Sequence, residues 1–384
     1  MALTQPTATV DTSVLFDGVT IGDLELANRL VMAPLTRSRA NADGTANAMM
    51  AEYYGQRASA GLIISESAYI SAQGKSAINT PGLHTEAQIA SWQQVTDTVH
   101  ARGGRIFAQL VHAGRVSHED LQPGQCAPVA PSAIPASAHT FTTQGMVPCP
   151  TPRALTGHEI RAVIGSFAYA AKVAMRAGFD GVELHAGNGY LVNQFLNAAA
   201  NQRSDRYGGS MANRIRFALE SLEAVIGTLG AQRVGVRIAP WNNAFGIEPG
   251  DDDAVYPELV RALPPDLAYL HVREVGDRPL TWRLRELWGG PLIINPHPGG
   301  PQAGPATVEQ ACQALASGVA DAACLGTLFL ANPDLPARIA AGGPYNDPDP
   351  MSFYFGGAAG YVDYPPLVQP DLTAAQVPYR TVCA

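Results

Sequence analysis

Short runs of β-branched and apolar residues recur along the chain, and each is followed by a longer stretch whose apolar residues have helical spacing. This alternation is typical of βα units that build a parallel sheet. The predicted strands span residues 29–34, 62–66, 105–110, 180–185, 233–238, 267–272, 291–295 and 321–326. The predicted helices span residues 47–60, 86–102, 156–177, 211–229, 252–262, 279–288, 306–317 and 333–341. Because a doubly wound sheet rarely needs so many units, the pattern predicts an α/β fold of the (β/α)8 TIM-barrel type.

No shift in composition divides the chain, so residues 1–384 are interpreted as one barrel domain. The interval 111–155 follows the third strand, is rich in Pro, Ala, Ser and Thr, and is too long for a plain βα connection. Loops of this length are usually functional, so we expect an excursion or lid there. We expect the C-terminal segment 342–384 to close over the barrel.

Composition narrows the class of partner. The chain has 384 residues, 46% of them hydrophobic, and a net charge of −8. An acidic chain with scattered basic residues argues against nucleic-acid or acidic membrane surfaces and favours a small molecule. The N-terminal residues show neither the basic region nor the apolar region of a signal peptide, and no later apolar run is long enough to cross a membrane. We therefore expect a cytoplasmic protein. We expect it to be a monomer or a homodimer. The five scattered cysteines form no C-x-x-C pair, and no metal site is predicted.

Active sites of such barrels lie where the strands end, so the residues that close each strand form a candidate ring. This ring is unusually polar for strand ends. Its members are Pro34 with Thr36, Glu66, Gln109, His185, Arg237, His271, Asn295 and Gly326.

The densest stretch of candidate chemistry is "ELHAGNGYLVNQFL", after the fourth strand. His185 and Asn188 are three residues apart and can donate to one oxygen, which is what a developing enolate requires. Tyr190 is a phenol that could then supply a proton. The alternative from spacing alone is that His185 and Asn188 only cap the next helix.

Arg237 closes a strand whose interior is apolar, and a buried guanidinium demands an anion or another acceptor. Its partner could equally be a neighbouring carboxylate in a structural ion pair. Gln109 is open to the same two interpretations. An amide beside a guanidinium suits the pyrimidine edge of a flavin, which offers alternating donors and acceptors.

Several blocks of sequence resemble one known family nearly from end to end. They include "LANRLVMAPLTRSRA", "GRIFAQLVHAGRVSH", "GVELHAGNGYLVNQFLNAAANQRSDRYGGSMANRIRF" and "FLANPDLP". On these blocks the chain resembles the old yellow enzymes, the FMN-containing ene-reductases, and within them the bacterial N-ethylmaleimide and nitrate-ester reductases. The resemblance implies a barrel that uses NAD(P)H to reduce the C=C bond of an unsaturated carbonyl or nitro compound.

The resemblance also implies a role for each matching position. Thr36, Gln109 and Arg237 would contact the flavin ring, with backbone contacts from Ala33, Pro34 and Ser67. His185 and Asn188 would hold the oxygen of an enone-like substrate, and Tyr190 would deliver the proton while FMN supplies hydride. Tyr354 would line the substrate side. The nicotinamide would bind in the same pocket, so no separate dinucleotide motif is expected.

The chain departs from the family where relatives hold the FMN phosphate. After the seventh strand the family has Asn-Gly-Gly, whereas this chain has "NPHPGG", with Asn295 and Gly300 at its ends. After the eighth strand the family has Gly-Arg, whereas this chain has Gly326 and Thr327. The two prolines of this loop have no N–H to donate to a phosphate. The positive charge lost with the family's Arg could be replaced in part by His297 if this residue is protonated. Val111 stands where relatives often carry Trp, which would reshape the substrate pocket.

Three functions therefore remain open from the sequence. The first is an FMN-dependent ene-reductase with a weakened or reorganised phosphate site. The second is a non-redox isomerase or cyclase that uses His185, Asn188 and Tyr190 on an enone-like substrate, with FMN weakly bound or absent. The third is a non-catalytic small-molecule binding barrel.

Overall fold

Eight parallel strands close into a barrel in the computed structural model, which describes residues 11–275, 278–297 and 304–367. Each strand pairs with the next, and the eighth pairs with the first. The TIM barrel predicted from the sequence is confirmed, and every predicted strand overlaps an observed one. The barrel strands are β1 (Leu30–Met32), β2 (Leu62–Ile64), β3 (Ile106–Val111), β4 (Gly181–His185), β5 (Val234–Ile238), β6 (Tyr269–Arg273), β7 (Leu292–Asn295) and β8 (Ala322–Leu325).

The helices surround this barrel, and several begin at the residues that the sequence indicates. Thr85, Thr156 and Thr307 each form a capping box at a helix start. The pattern missed α4 and α10, which are too short to show a full hydrophobic period. The helices are α1 (Ala48–Gln56), α2 (Glu86–Ala101), α3 (Gly157–Arg176), α4 (Leu191–Leu196), α5 (Met211–Arg214), α6 (Arg216–Leu229), α7 (Asp252–Arg261), α8 (Pro279–Leu287), α9 (Val308–Ala316), α10 (Thr327–Ala331) and α11 (Leu335–Ala341).

The barrel interior changes from apolar to polar along the strands. Its lower part is an apolar cluster that includes Phe107, Tyr269 and Ile293. A hairpin of Val19–Ile21 and Leu24–Leu26 packs its buried side chains into the same cluster and covers the N-terminal end. Since residues two apart in a strand face the same side, Gln109, His271 and Asn295 also face inward, one layer higher. The polar layer therefore lies at the C-terminal end of the strands.

Two segments outside the βα units cover that end. In the excursion after β3, the strand His139–Thr142 forms a hairpin with Gly145–Pro148. In the C-terminal segment, a loop around Phe353 is held by the side chains of Arg37 and Arg39, which donate to its carbonyls. Residues 368–384 of the expected closing segment lie outside the described residues. Over the described ranges, no helix combines the length and hydropathy needed to cross a membrane.

Candidate active site

The turn after β4 is built by glycines that a larger residue could not replace. A Cβ on Gly187 would lie 2.8 Å from that of Ala239, and one on Gly189 would lie 2.7 Å from the carbonyl oxygen of Ala244. Asn188 between them has a φ of 54°, in the left-handed region that Asn tolerates better than most residues. The turn therefore places Asn188 beside His185 at the end of β4.

The orientation of the Asn188 amide follows from its neighbour Asn242. The backbone N–H of Ala244 donates to Oδ1 of Asn242 at 2.9 Å, which leaves the Asn242 amide nitrogen as a donor. That nitrogen donates to Oδ1 of Asn188 at 2.6 Å. Because the oxygen of Asn188 is already engaged, its own amide nitrogen is the group available to a ligand.

His185 presents a second donor. The backbone N–H of Gly187 donates to its Nδ1 at 3.3 Å, so the ring proton resides on Nε2. Burial, followed by the nearby charge of Arg237 and the ring of His271, lowers the pKa of His185 well below its usual range. The imidazole is therefore neutral at physiological pH and donates through Nε2.

Tyr190 lies against His185, with 5.2 Å between the ring centroids. On its other side it contacts Phe245, at 5.4 Å. Burial raises the pKa of Tyr190 to about 12, with a further contribution from Tyr354. The phenol therefore keeps its proton at neutral pH and is able to donate it.

A hydrogen-bonded polar layer forms the floor of the site. Glu183 accepts from the amide of Gln109 at 2.7 Å and from Nδ1 of His271 at 2.8 Å. Burial alone would raise the pKa of Glu183, but His271 and Arg237 hold it below its ordinary value. The guanidinium of Arg237 reaches Oδ1 of Asn295 at 3.4 Å, while its buried Nε has no partner among the described residues. An acceptor supplied by a ligand would complete this layer.

These groups open onto one cavity of about 510 Å³, a size usual for cofactor and ligand pockets. Ten of the residues predicted from the sequence line it: Pro34, Thr36, Ser67, Gln109, His185, Asn188, Tyr190, Arg237, Thr327 and Tyr354. Ala33 and Gly326 are chain neighbours of lining residues, and Asn295 contacts Arg237. Val111 is buried and is not part of the cavity wall, and Gly300 lies outside the described residues.

A profile of the NADH:flavin oxidoreductase / NADH oxidase family matches residues 14–346. The chain belongs to this family. It is 40% identical over 363 residues to a probable flavin mononucleotide-dependent alkene reductase of Leishmania infantum, covering 92% of this chain and 97% of that relative.

Solved structures of the family agree with this assignment. Morphinone reductase in complex with tetrahydroNAD superposes with a TM-score of 0.88 at 42% identity, covering 94% of this chain and 99% of that one. The old yellow enzyme homologue from Zymomonas mobilis superposes with a TM-score of 0.86 at 40% identity, covering 91% and 99% of the two chains. The resemblance to old yellow enzymes is confirmed, and with it an FMN oxidoreductase that takes its electrons from a nicotinamide.

The residues of the cavity fit the flavin that the family binds. The unpartnered Nε of Arg237 points to a missing acceptor, which the carbonyl oxygens of a flavin pyrimidine would supply. Thr36 lines the same cavity and offers a hydroxyl. The amide of Gln109 is fixed by Ser67 at 2.5 Å and by Glu183, so its plane is set before a ligand arrives.

Several residues of the site escaped the sequence interpretation. Phe141 and Met146 line the cavity from the hairpin of the excursion, and Ser76 and Phe245 line it from other loops. Asn242 orients Asn188 from a loop 54 positions away, where spacing gives no signal. The length and composition of the excursion led us to expect a lid, which stays a prediction, and they could not indicate which of its residues face inward.

His297 behaves differently from the expectation that it supplies charge for a phosphate. Its Nε2 hydrogen-bonds Oδ1 of Asn295 at 3.2 Å. Burial, and then the charges of Arg273 and Arg237, lower the pKa of His297 to about 4. The ring is neutral at physiological pH unless a nearby anion opposes these effects.

Proposed function

We propose that the protein is an ene-reductase that reduces the C=C bond of an α,β-unsaturated carbonyl or nitro compound. The observation that carries the proposal is the convergence of three donors in one cavity: Nε2 of His185, the amide nitrogen of Asn188 and the hydroxyl of Tyr190. All three lie over the polar layer that fits a flavin ring. The alkene reductase of Leishmania infantum, similar over nearly its whole length, supports the same chemistry.

His185 and Asn188 would bind the substrate through its oxygen. Both present an N–H, and neither carries a charge at neutral pH. Donors fixed in advance stabilise negative charge as it develops on the oxygen, without reorganising during the reaction. This withdraws electron density from the C=C bond and prepares its β carbon for hydride.

Tyr190 would protonate the α carbon. Its pKa of about 12 keeps the phenol protonated at neutral pH, and the α carbon becomes basic enough to take this proton once hydride has reached the β carbon. FMN, when bound and reduced by NAD(P)H, would supply the hydride for the β carbon. Hydride and proton together add H2 across the double bond, so the electrons and protons balance.

The walls above the three donors favour a cyclic or aromatic apolar substrate body. Phe141, Met146, Phe245 and Tyr354 all line the cavity. Aromatic walls bury an apolar ring with a large gain in contact area. We infer an enone-like small molecule whose single polar group is the oxygen that His185 and Asn188 bind.

Dependence on NAD(P)H supports the cytoplasm as the place of action, because this reductant is available there.

The proposal is tested by following the two half-reactions separately under anaerobic conditions. The purified protein is expected to bind FMN, to be bleached by NADH or NADPH, and to regain its colour with 2-cyclohexenone, yielding cyclohexanone. Failure of the enone to reoxidise the reduced flavin would contradict the proposal. Conversion of the enone without any reductant would favour the acid–base isomerase instead.

A further inference from the structure

A second arginine stands beside Arg237 at the mouth of the barrel. Arg237 on β5 is the register partner of His271 on β6, and Arg273 on β6 is the register partner of Asn295 on β7. Since His271 faces inward to Glu183, Arg273, two residues further along the same strand, faces inward as well. The inner face of β6 therefore continues upward from the polar layer to a guanidinium.

The electrostatic effects of these groups on one another agree with this placement. Burial, and then the charge of Arg237, lower the pKa of Arg273 to about 10. The pKa of His297 is in turn lowered by both arginines. Two guanidinium groups and one imidazole thus share a single corner between the ends of β5, β6 and β7.

No anion in the described part of the chain pairs with Arg273. Arg273 has neither a hydrogen bond nor a salt bridge there, and Arg237 is bound only by the neutral amide of Asn295. The charge of Glu183 acts on Arg237, but both carboxylate oxygens accept hydrogen bonds, one from Gln109 and one from His271. Glu274, next in sequence, is bound to Arg278 and Thr281. Half-buried cations without a partner carry a cost that an anionic ligand removes.

FMN supplies one anion of the right kind. Its ring system carries no fixed charge, so the terminal phosphate is the part that needs cations. Thr327, the first residue of α10 after β8, lines the cavity but offers only a hydroxyl. The cation that the resemblance leads one to expect after β8 is therefore missing, while β6 carries one.

We propose that Arg273 is the phosphate-binding arginine of this chain, acting from the end of β6 in place of a cation after β8. The inference rests on the FMN-dependent function proposed above. It assigns to Arg273 a charge-assisted contact with the phosphate, and it leaves the flavin ring to Gln109, Arg237 and Thr36. The pyrophosphate of NADH or NADPH, and the additional phosphate of NADPH, are the other possible source of an anion, and the experiment separates the two.

The test measures flavin affinity rather than turnover. Protein loaded with FMN, or with riboflavin by exchange, is diluted, and the fluorescence of released flavin gives each Kd. Arg273→Gln is expected to weaken FMN about ten- to a hundredfold, as for the loss of a charge-assisted bond, while riboflavin binding stays unchanged. Arg273→Lys keeps the charge but loses the bidentate guanidinium, so its Kd for FMN should lie between those of wild type and Arg273→Gln. Adding Thr327→Arg to Arg273→Gln should restore the preference for FMN over riboflavin.

Arg278→Gln is the matched control, since this arginine pairs with Glu274 near the same strand end. It should leave both Kd values unchanged. An unaltered FMN preference in Arg273→Gln would overturn the inference, as would equal weakening of FMN and riboflavin, which indicates lost packing. A change confined to the KM for NADPH or NADH would show that Arg273 binds the phosphate groups of the dinucleotide instead. Wild-type protein that binds neither flavin would instead refute the proposed function.

Discussion

The amide nitrogen of Asn242 donates to Oδ1 of Asn188 over 2.6 Å, and this contact decides which end of the Asn188 amide meets a ligand. Asn242 is itself fixed, because its oxygen accepts from the backbone of Ala244. The donor character of Asn188 is thus set by a residue that does not belong to the His-x-x-Asn-x-Tyr motif. Under the proposed function, Asn242 would therefore position Asn188 for substrate binding.

Replacing Asn242 by Asp should reverse the Asn188 amide. A carboxylate at position 242 can only accept, so the Asn188 nitrogen would turn towards it and expose its oxygen to the substrate. We expect the KM for 2-cyclohexenone to rise about tenfold to a hundredfold, because one hydrogen bond to the substrate is lost and the amide oxygen of Asn188 then faces the substrate oxygen. The rate of flavin reduction by NAD(P)H should change much less than enone binding. Asn242→Ser, which keeps a donor, is the control, and an equal rise of KM in both variants would count against the positioning role.

The contact between Phe141 and Phe355 should govern access for bulky substrates. The two rings meet edge to face with 4.9 Å between centroids, joining the hairpin of the excursion to the C-terminal loop. Phe355→Ala removes an aromatic contact of about 0.5–1.5 kcal/mol, so the loop should open more often. We expect kcat/KM for a large polycyclic enone to rise relative to that for 2-cyclohexenone. Met351→Ala, in the same segment but 85% exposed, should leave the ratio as it is.

Glu66 should make stability depend on pH. Burial raises the pKa of Glu66 to about 7 from an ordinary value of 4.5, against the opposing effect of Arg37. The folded protein therefore binds this proton more tightly than the unfolded chain, so stability falls as pH rises from about 4.5 to about 7 and stays lower above it.

Glu66→Gln mimics the protonated acid and should remove that loss. We expect the variant to be more stable than wild type at pH 8, by roughly 3 kcal/mol, and to show a flatter profile in urea melts between pH 5 and 8. Glu223→Gln, on an exposed position of α6, should follow the wild-type curve. A Glu66→Gln profile parallel to that of wild type would show that Glu66 does not titrate in this range.

The sequence predicted the barrel and the polar ring of strand-end residues because both depend on local patterns, whereas Ser67, Thr327 and Tyr354 were expected only from the resemblance to the family. Strand ends mark the mouth of a barrel, and His185, Asn188 and Tyr190 lie within one turn. Arg273 was missed because the predicted strand stopped at residue 272, which left this arginine in a loop and hid its inward direction. Asn242 was missed because its contact with Asn188 joins two loops that only the closed barrel brings together.

Whether Tyr190 is the proton donor is the most direct test of the proposed function. In anaerobic stopped-flow experiments, Tyr190→Phe should leave flavin reduction by NAD(P)H near the wild-type rate. Reoxidation of the reduced flavin by 2-cyclohexenone should slow by about a hundredfold to ten-thousandfold, the usual contribution of a general acid. Tyr169→Phe, at an exposed position of α3, should match wild type in both steps. Reoxidation by the enone at the wild-type rate in Tyr190→Phe would contradict the account.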